Sequence, residues 1–325
     1  MGTDGSSTDR PDTIAQERDP LGLDPETMRR LGYRTIDLLV EGLAGVRGKP
    51  IIRTASPEEM RGRLHGPAPD RPGAFDDLLS RITDDVLPFA ARWDHPRMFG
   101  YIPGSSTWPG ALADLITSAW NVDSSSWREC AGPNQLELTV LDWFRTWVGY
   151  PPSASGILLS GGSAANLTAL ACTREAIVGA IDDRVVAYVS DQAHSTMARA
   201  ARVLGFRPDQ LRVLPSDERF RLRPDALEGA IEADLRAGRR PLFIAAAAGS
   251  TNTGSVDPIP AILTERGRHA LTGIELADSI TLDPHKWLYQ PFECGGLLVR
   301  DGSLLRKALE IVPEYLRDAH GDTRK

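Results

Sequence analysis

From Gly156 onward the chain alternates short apolar runs with stretches of helical periodicity, and this alternation limits the possible folds more than any other feature. The runs are Ile157 to Leu159, Val185 to Val189, Leu211 to Leu214, Leu242 to Ala247, Ile280 to Leu282 and Gly296 to Val299. Short strands separated by helices imply an α/β domain with a mostly parallel sheet and helices on both faces. The helix that begins at Pro224 sets Leu227, Ile231 and Leu235 on one stripe. No internal repeat or low-complexity segment appears beyond the first residues.

The first 95 residues follow a different pattern. Asp24-Pro25 places a capping side chain before a proline at the first helical position, and Met28, Leu31, Ile36, Leu39 and Leu43 continue with helical spacing. Ser56 and Glu59 are spaced as a capping box for a second helix, and Ala74 to Leu87 reads as a third. Three amphipathic helices are too thin to enclose a core, so this arm is expected to lie on another domain or subunit. The expected organisation is a polar tail over 1–20, a helical arm over 21–95, an α/β domain over 96–311 and the start of a further region over 312–325.

Charge and composition exclude several classes of function. The 37 basic and 44 acidic residues leave a net charge of −7, which argues against a nucleic-acid binder that works through bulk positive charge. The longest apolar stretch, Leu242 to Ala248, falls far short of the roughly 18 residues of a membrane span. Met1 to Pro20 has no apolar segment of the signal-peptide kind, so a cytoplasmic location is expected. Cys130, Cys172 and Cys294 are widely spaced and odd in number, which suits free thiols in a reducing compartment and gives no metal-site spacing.

Signatures of hydrolases, zincins, P-loops and dinucleotide-binding folds are absent. Three segments remain. Ser160-Gly161-Gly162-Ser163-Ala164-Ala165-Asn166 follows the first run and opens an apolar helix, so its backbone N–H groups and the helix N-terminus can face a phosphate. Asp283-Pro284-His285-Lys286-Trp287 follows the fifth run and places one of only four lysines beside aromatic and apolar residues, where a desolvated amine becomes nucleophilic toward an aldehyde. Asp191-Gln192-Ala193-His194-Ser195 follows the second run, and His194 can lie against a planar cofactor.

Taken singly, each segment has an ordinary reading: a strand-to-helix connection, a lysine that reaches solvent, a hydrogen-bonded loop histidine. Together they stand at the carboxyl ends of predicted strands, where open α/β sheets build their binding crevice. A phosphate cradle, a stacking imidazole and a desolvated lysine are the parts that pyridoxal phosphate chemistry needs.

These segments, with Ala248-Gly249-Ser250-Thr251 and His95-Pro96-Arg97-Met98-Phe99-Gly100-Tyr101, resemble the group II pyridoxal-phosphate-dependent amino-acid decarboxylases, nearest the aromatic-L-amino-acid branch. The likeness runs from about Leu21 to Arg317. It implies a fold-type-I pyridoxal phosphate domain over 96–311, a homodimer and a small-molecule L-amino acid as substrate, with aromatic amino acids first and diaminobutyrate or glutamate next. It also implies that Lys286 joins the cofactor covalently, His194 stacks on its ring, and Gly162 and Ser163 hold its phosphate. Thr251 would lie close to the ring, and His285 near the phosphate or the substrate carboxylate. Tyr101 and Pro103 would line the substrate pocket, although core packing is an equal reading for Trp93, Phe99 and Tyr101.

The sequence departs from the family in two places. The family's His-Val-Asp-Ala-Ala-Tyr-like strand, whose aspartate pairs with the ring nitrogen, has no counterpart. Asp257 to Ile262 passes straight into Leu263 to His269, and both flanks match, so an internal deletion is expected at Ile262/Leu263. The loss of an inner strand would leave backbone groups unpaired, at about 1–3 kcal/mol each. The chain also stops at Lys325, before the family's loop with a catalytic tyrosine and its small C-terminal domain. Weak cofactor binding and poor decarboxylation are therefore expected. A non-catalytic remnant that assembles with an intact partner, or an aminotransferase, are the alternatives.

Overall fold

The computed structural model describes residues 22–102, 104–258 and 273–309. The chain falls into two compact units that divide between Phe99 and Gly100. The first holds three helices, α1 (Pro25–Ala44), α2 (Pro57–Leu64) and α3 (Phe75–Arg81). Asp24 caps α1 by accepting from the N–H groups of Glu26 and Thr27, at 3.0 and 2.9 Å, and Ser56 caps α2 by accepting from the Glu59 N–H at 3.0 Å. The third predicted helix ends at Arg81 and continues as wider and tighter turns through Phe89. Among the described residues of this unit only Leu79 and His95 are buried, so these helices enclose no core of their own.

All six predicted strands form in the second unit: β1 (Ser155–Leu159), β2 (Val185–Ser190), β3 (Leu211–Leu214), β4 (Arg240–Ala245), β5 (Ser279–Leu282) and β6 (Gly295–Val299). They make two three-stranded sheets. One has the order β3-β2-β4 and is parallel; the other has the order β1-β6-β5, with β6 antiparallel to both neighbours. The expectation of a mostly parallel sheet therefore holds for β2, β3 and β4 and is corrected at β6. The connection from β5 to β6 contains only the four-residue helix Pro284–Trp287, so the chain turns back without crossing a sheet face.

Among the described residues the helices of this unit are α4 (Trp108–Trp120), α5 (Trp127–Trp147), α6 (Gly162–Ile177), α7 (Thr196–Val203), α8 (Pro224–Arg236), α9 (Pro284–Trp287) and α10 (Gly302–Leu309). Strand β2 is buried along its whole length, and its alternation assigns its faces. Val185 and Ala187 pack with Leu170 of α6 and Ala200 and Ala201 of α7, while Val186 and Tyr188 pack with Leu227 and Ile231 of α8. Leu235, one turn beyond Ile231, is exposed, so the predicted stripe on α8 is one turn too long. Asp234 fastens that helix to the sheet by accepting from the Tyr188 hydroxyl at 3.0 Å and pairing with Arg212 at 2.5 Å.

In the second sheet, Leu297 and Val299 pack with Ala165, Ala169 and Cys172 of α6 on one face, while Leu298 packs with Leu141 and Phe144 of α5 on the other. Helix α6 thus lies over both sheets. Its Leu170 serves the parallel sheet and its alanines the antiparallel one, and burying the single leucine contributes roughly 1.5–3 kcal/mol. Among the described residues no helix is long and apolar enough to cross a membrane. The predicted deletion point, Ile262/Leu263, and the Asp322–Lys325 end lie outside the described residues.

Candidate functional site

The loops that follow β1, β2 and β5 converge at the N-terminus of α6. Gly161 and Gly162 start this helix without any side-chain cap, so the N–H groups of its first turn stay available. Asp283 lies directly against Gly162, and a Cβ at that glycine would come within 2.6 Å of the carboxylate. Any side chain there would displace Asp283, which explains the second glycine of the turn. Ser163, next in the helix, is exposed.

Lys286 is part-buried on α9, and its Nζ donates to Asp283 Oδ2 at 2.5 Å. The other oxygen of that carboxylate, Oδ1, is buried and without a hydrogen-bond partner. Asp283 therefore joins the lysine to the helix N-terminus, a role that the sequence did not disclose. The segment just before α4 runs beside the lysine. Gly104 N–H donates to the His285 carbonyl at 3.3 Å, and a Cβ on Gly104 would meet the Lys286 carbonyl oxygen at 2.3 Å, so only glycine allows this approach.

His194 is held by its Nδ1, which accepts from the Thr196 N–H at 3.2 Å and lies 3.0 Å from the Thr196 hydroxyl. Accepting at Nδ1 leaves the proton of the neutral ring on Nε2. Partial burial of the ring lowers its pKa below the ordinary histidine value. The positive charges of Lys286 and Arg199 act in the same direction, and Asp283 opposes them. Thr196 is in turn fixed by Asn166 Nδ2 at 2.8 Å, and Asn166 Oδ1 accepts from the Thr281 hydroxyl at 2.8 Å. One asparagine near the start of α6 thus ties the histidine loop to β5. Its place in the Ser160 to Asn166 segment that follows β1 was the signal for it.

The remaining predicted residues are placed less centrally. His285 is buried, its Nδ1 lies 2.7 Å from the Cys294 carbonyl oxygen, and its ring packs on Phe292 at 4.7 Å. Its Cε1 stands 4.0 Å from a Cβ built on Gly161, so the ring edge does border the helix N-terminus. Thr251 is exposed; the buried hydroxyl beside it belongs to Ser250, which bonds to Thr253 and Ser255. Tyr101 is 76% exposed with φ of 64°, and Phe99 is also exposed, so neither packs as a core aromatic. Pro103 lies outside the described residues. Cys172 is buried, which pushes its thiol pKa up; the Cys294 thiol is raised by burial and then by the charge of Asp283.

The family description "Pyridoxal-dependent decarboxylase conserved domain" matches residues 57–265 and 260–325. The chain belongs to the pyridoxal-dependent decarboxylase family. It is 36% identical over 321 residues to an aromatic-L-amino-acid decarboxylase of Bacillus atrophaeus, covering 92% of this chain and 67% of the relative. It is 30% identical over 334 residues to the Sus scrofa aromatic-L-amino-acid decarboxylase, covering 90% and 68%. Among solved structures, that of Oryza sativa TDC with PLP and tryptamine superimposes with a TM-score of 0.85 at 28% identity, covering 92% of this chain and 69% of that one.

The chain spans about two thirds of the length of these relatives. The 321 aligned positions in the Bacillus comparison take up only 92% of 325 residues, which leaves about 22 positions where the relative has residues and this chain has none. The family match itself breaks in two at 260–265, where the sequence predicts a deletion. As a pyridoxal-dependent decarboxylase the chain is a carboxy-lyase by family, with pyridoxal phosphate as its cofactor. The cradle at α6, the lysine and the neutral histidine fit the phosphate, aldehyde and ring of that cofactor.

Proposed function

We propose that this site serves the decarboxylation of an aromatic L-amino acid, and that this chain performs it slowly. The observation that carries the reading is the meeting of Lys286, Gly162 and the His194 loop around Asp283. When bound, pyridoxal phosphate supplies an electron sink for the pair left behind by departing carbon dioxide. The uncapped N–H groups of Gly162 and Ser163 would hold its phosphate, and Lys286 supplies the primary amine for its aldehyde. With its lowered pKa, the His194 ring is uncharged at neutral pH, so it can lie against an aromatic ring without adding a second positive charge beside Lys286. His285 braces the 292–294 turn against the cradle. Thr251 and Tyr101, both exposed, would act at the rim of the site.

An aromatic substrate is supported by the named activities of the two decarboxylase relatives and by the tryptamine in the Oryza structure. A homodimer is supported by α4. That helix buries none of its residues, yet sets Leu112, Leu115, Ile116 and Trp120 on one exposed stripe, which a second copy would cover. The separate thiols suit a reducing, cytoplasmic setting.

The second reading, a non-catalytic remnant, is favoured by the roughly 22 positions missing relative to the Bacillus enzyme. One experiment separates the two. The protein is mixed with pyridoxal phosphate, reduced with borohydride and digested, while carbon dioxide release is followed with L-tryptophan, L-tyrosine, L-glutamate and L-2,4-diaminobutyrate. A mass tag on the Lys286 peptide, lost in Lys286→Ala, with slow release from the aromatic pair is expected. A tag without any release makes the chain a cofactor-binding remnant, and no tag on that peptide removes the cofactor site. Keto-acid formation instead of carbon dioxide would make it an aminotransferase.

A further inference from the structure

Asp283 touches both chemical poles of the site. Its Oδ2 accepts from Lys286 Nζ at 2.5 Å, and its two oxygens lie 2.6 and 2.7 Å from the place of a Cβ on Gly162, in the first turn of α6. Each contact sets a demand. A lysine paired in this way carries its charge, and an ammonium has no lone pair to offer an aldehyde. A carboxylate at that helix start meets the negative charge of the phosphate that the cradle would hold, and two anions in one part-buried place do not both stay ionised cheaply. Oδ1, buried and without a partner among the described residues, adds a third demand, because a charged oxygen shut away without a donor is costly and a neutral carboxyl relieves it. One proton moved from Nζ to Oδ2 meets all three.

We propose that Asp283 is a catalytic residue of cofactor attachment, the acceptor of the proton that Lys286 must lose. This rests on the reading of Lys286 as the point of attachment. The proton passes from Nζ to Oδ2, which leaves a neutral amine and a neutral carboxyl. The lone pair of Nζ then bonds to the aldehyde carbon, and the aldehyde oxygen leaves as water with the two protons still on Nζ. The Lys286 and Asp283 side chains are only 31% and 16% exposed, so exchange within the pair has a shorter path than exchange with water. The other groups at this corner do not take that proton. His194 carries its own on Nε2, His285 Nδ1 is engaged by the Cys294 carbonyl, and the Cys294 thiol is kept protonated by burial and then by Asp283 and Asp114. Glu293, whose Oε2 lies 3.9 Å from a Cβ built on Gly161, and Asp114 of α4 are acids near this corner, and neither pairs with Lys286; the first turn of α6 brings no ionisable side chain.

A proton exchanged inside the pair leaves the pair's total unchanged, so the fraction of neutral amine does not depend on pH while the two groups share one proton. An amine that sheds its proton to water instead gains about tenfold in neutral fraction per pH unit. The full chain and Asp283→Asn are each mixed with excess pyridoxal phosphate between pH 7.0 and 8.5, where His194 is neutral and Cys294 a thiol. Borohydride stops the reaction at timed intervals, and the masses of the Lys286 peptide and of the peptide with exposed Lys49 give two rates from one digest. The ionisation of the cofactor cancels in their ratio. Relative to Lys49, labelling of Lys286 is expected to fall at least about tenfold across this window in the wild type and to stay constant in the variant. A constant ratio in the wild type overturns the proposal whether or not the variant folds, and so does a falling ratio that persists in Asp283→Asn; either result leaves Lys286 as the attachment point. Label on Lys49 with none on Lys286 in the wild type removes the cofactor site and the proposal with it.

Discussion

Helices α4 and α6 are both apolar and of similar length, yet they stand in opposite situations. Helix α6 buries Ala165, Ala169, Leu170 and Cys172 beneath two sheets, while α4, with Leu112, Leu115, Ile116 and Trp120 along one side, buries nothing. Apolar content alone therefore does not fix where a helix belongs; the available partner surface does. Helix α6 finds that surface within its own chain, and α4 presents one that its own chain leaves open.

The comparison breaks most visibly at Leu170, which is 1% exposed and touches Val185, Ala187 and Leu242 in one cluster. Leu170→Ala is expected to cost about 3 kcal/mol of unfolding free energy, through lost transfer energy and the cavity it leaves. Urea denaturation followed by circular dichroism measures it. A cost below about 1 kcal/mol would mean that α6 is no more anchored than α4.

The matched change on α4 is Leu115→Lys with Ile116→Lys. Lysine is a good helix former, and both positions are exposed, so the folded monomer is expected to change by no more than about 0.5 kcal/mol. Self-association is expected to weaken by tenfold or more, about 1.4 kcal/mol, because two charges would be buried against the second copy. Sedimentation equilibrium reads the association and urea titration the stability. Unchanged association would leave α4 without the role proposed for it.

Much of this arrangement was legible in the sequence. Apolar runs of four to six residues with helical stretches between them located all six strands, and the three loops after β1, β2 and β5 were marked by glycine, histidine and lysine in plain view. Residues whose roles depend on partners far along the chain were not legible. Asp283 reads as a strand-end residue until Gly162 is seen beneath it, and Asn166 as part of a glycine turn until Thr196 and Thr281 flank its side chain. The antiparallel course of β6 was hidden because an apolar pentapeptide has no direction. Thr251 and Tyr101 were placed by motif order, which says nothing about exposure.

Asn166 sharpens the comparison at the end of α6 that faces the site. In Asn166→Ala the Thr196 and Thr281 hydroxyls lose a shared partner, and about 1 kcal/mol of stability is expected to go with it. The informative readout is the His194 titration by NMR. If the asparagine positions the histidine through Thr196, its pKa moves back toward the ordinary value in the variant; a purely structural asparagine would lower stability and leave that titration where it was.

The smallest effect is a pH dependence, and its sign follows from the direction of the shift. The folded chain holds His194 below its ordinary pKa of 6.5, chiefly through burial and then through Lys286 and Arg199. Between that lowered value and 6.5 the unfolded chain binds more protons at this position than the folded one, so stability rises with pH across the window. At pH 7 and above both states carry a neutral ring and the contribution is flat. As pH falls below 6.5 the wild type is expected to lose stability relative to His194→Gln, which has no proton to take up, and the difference levels off once the folded ring is itself protonated. Thermal melts of both proteins at half-unit steps from pH 5 to 8 measure this difference. A difference that grows toward high pH would mean that the ring is held charged, with Asp283 outweighing Lys286, and would reverse the electrostatic account of the site.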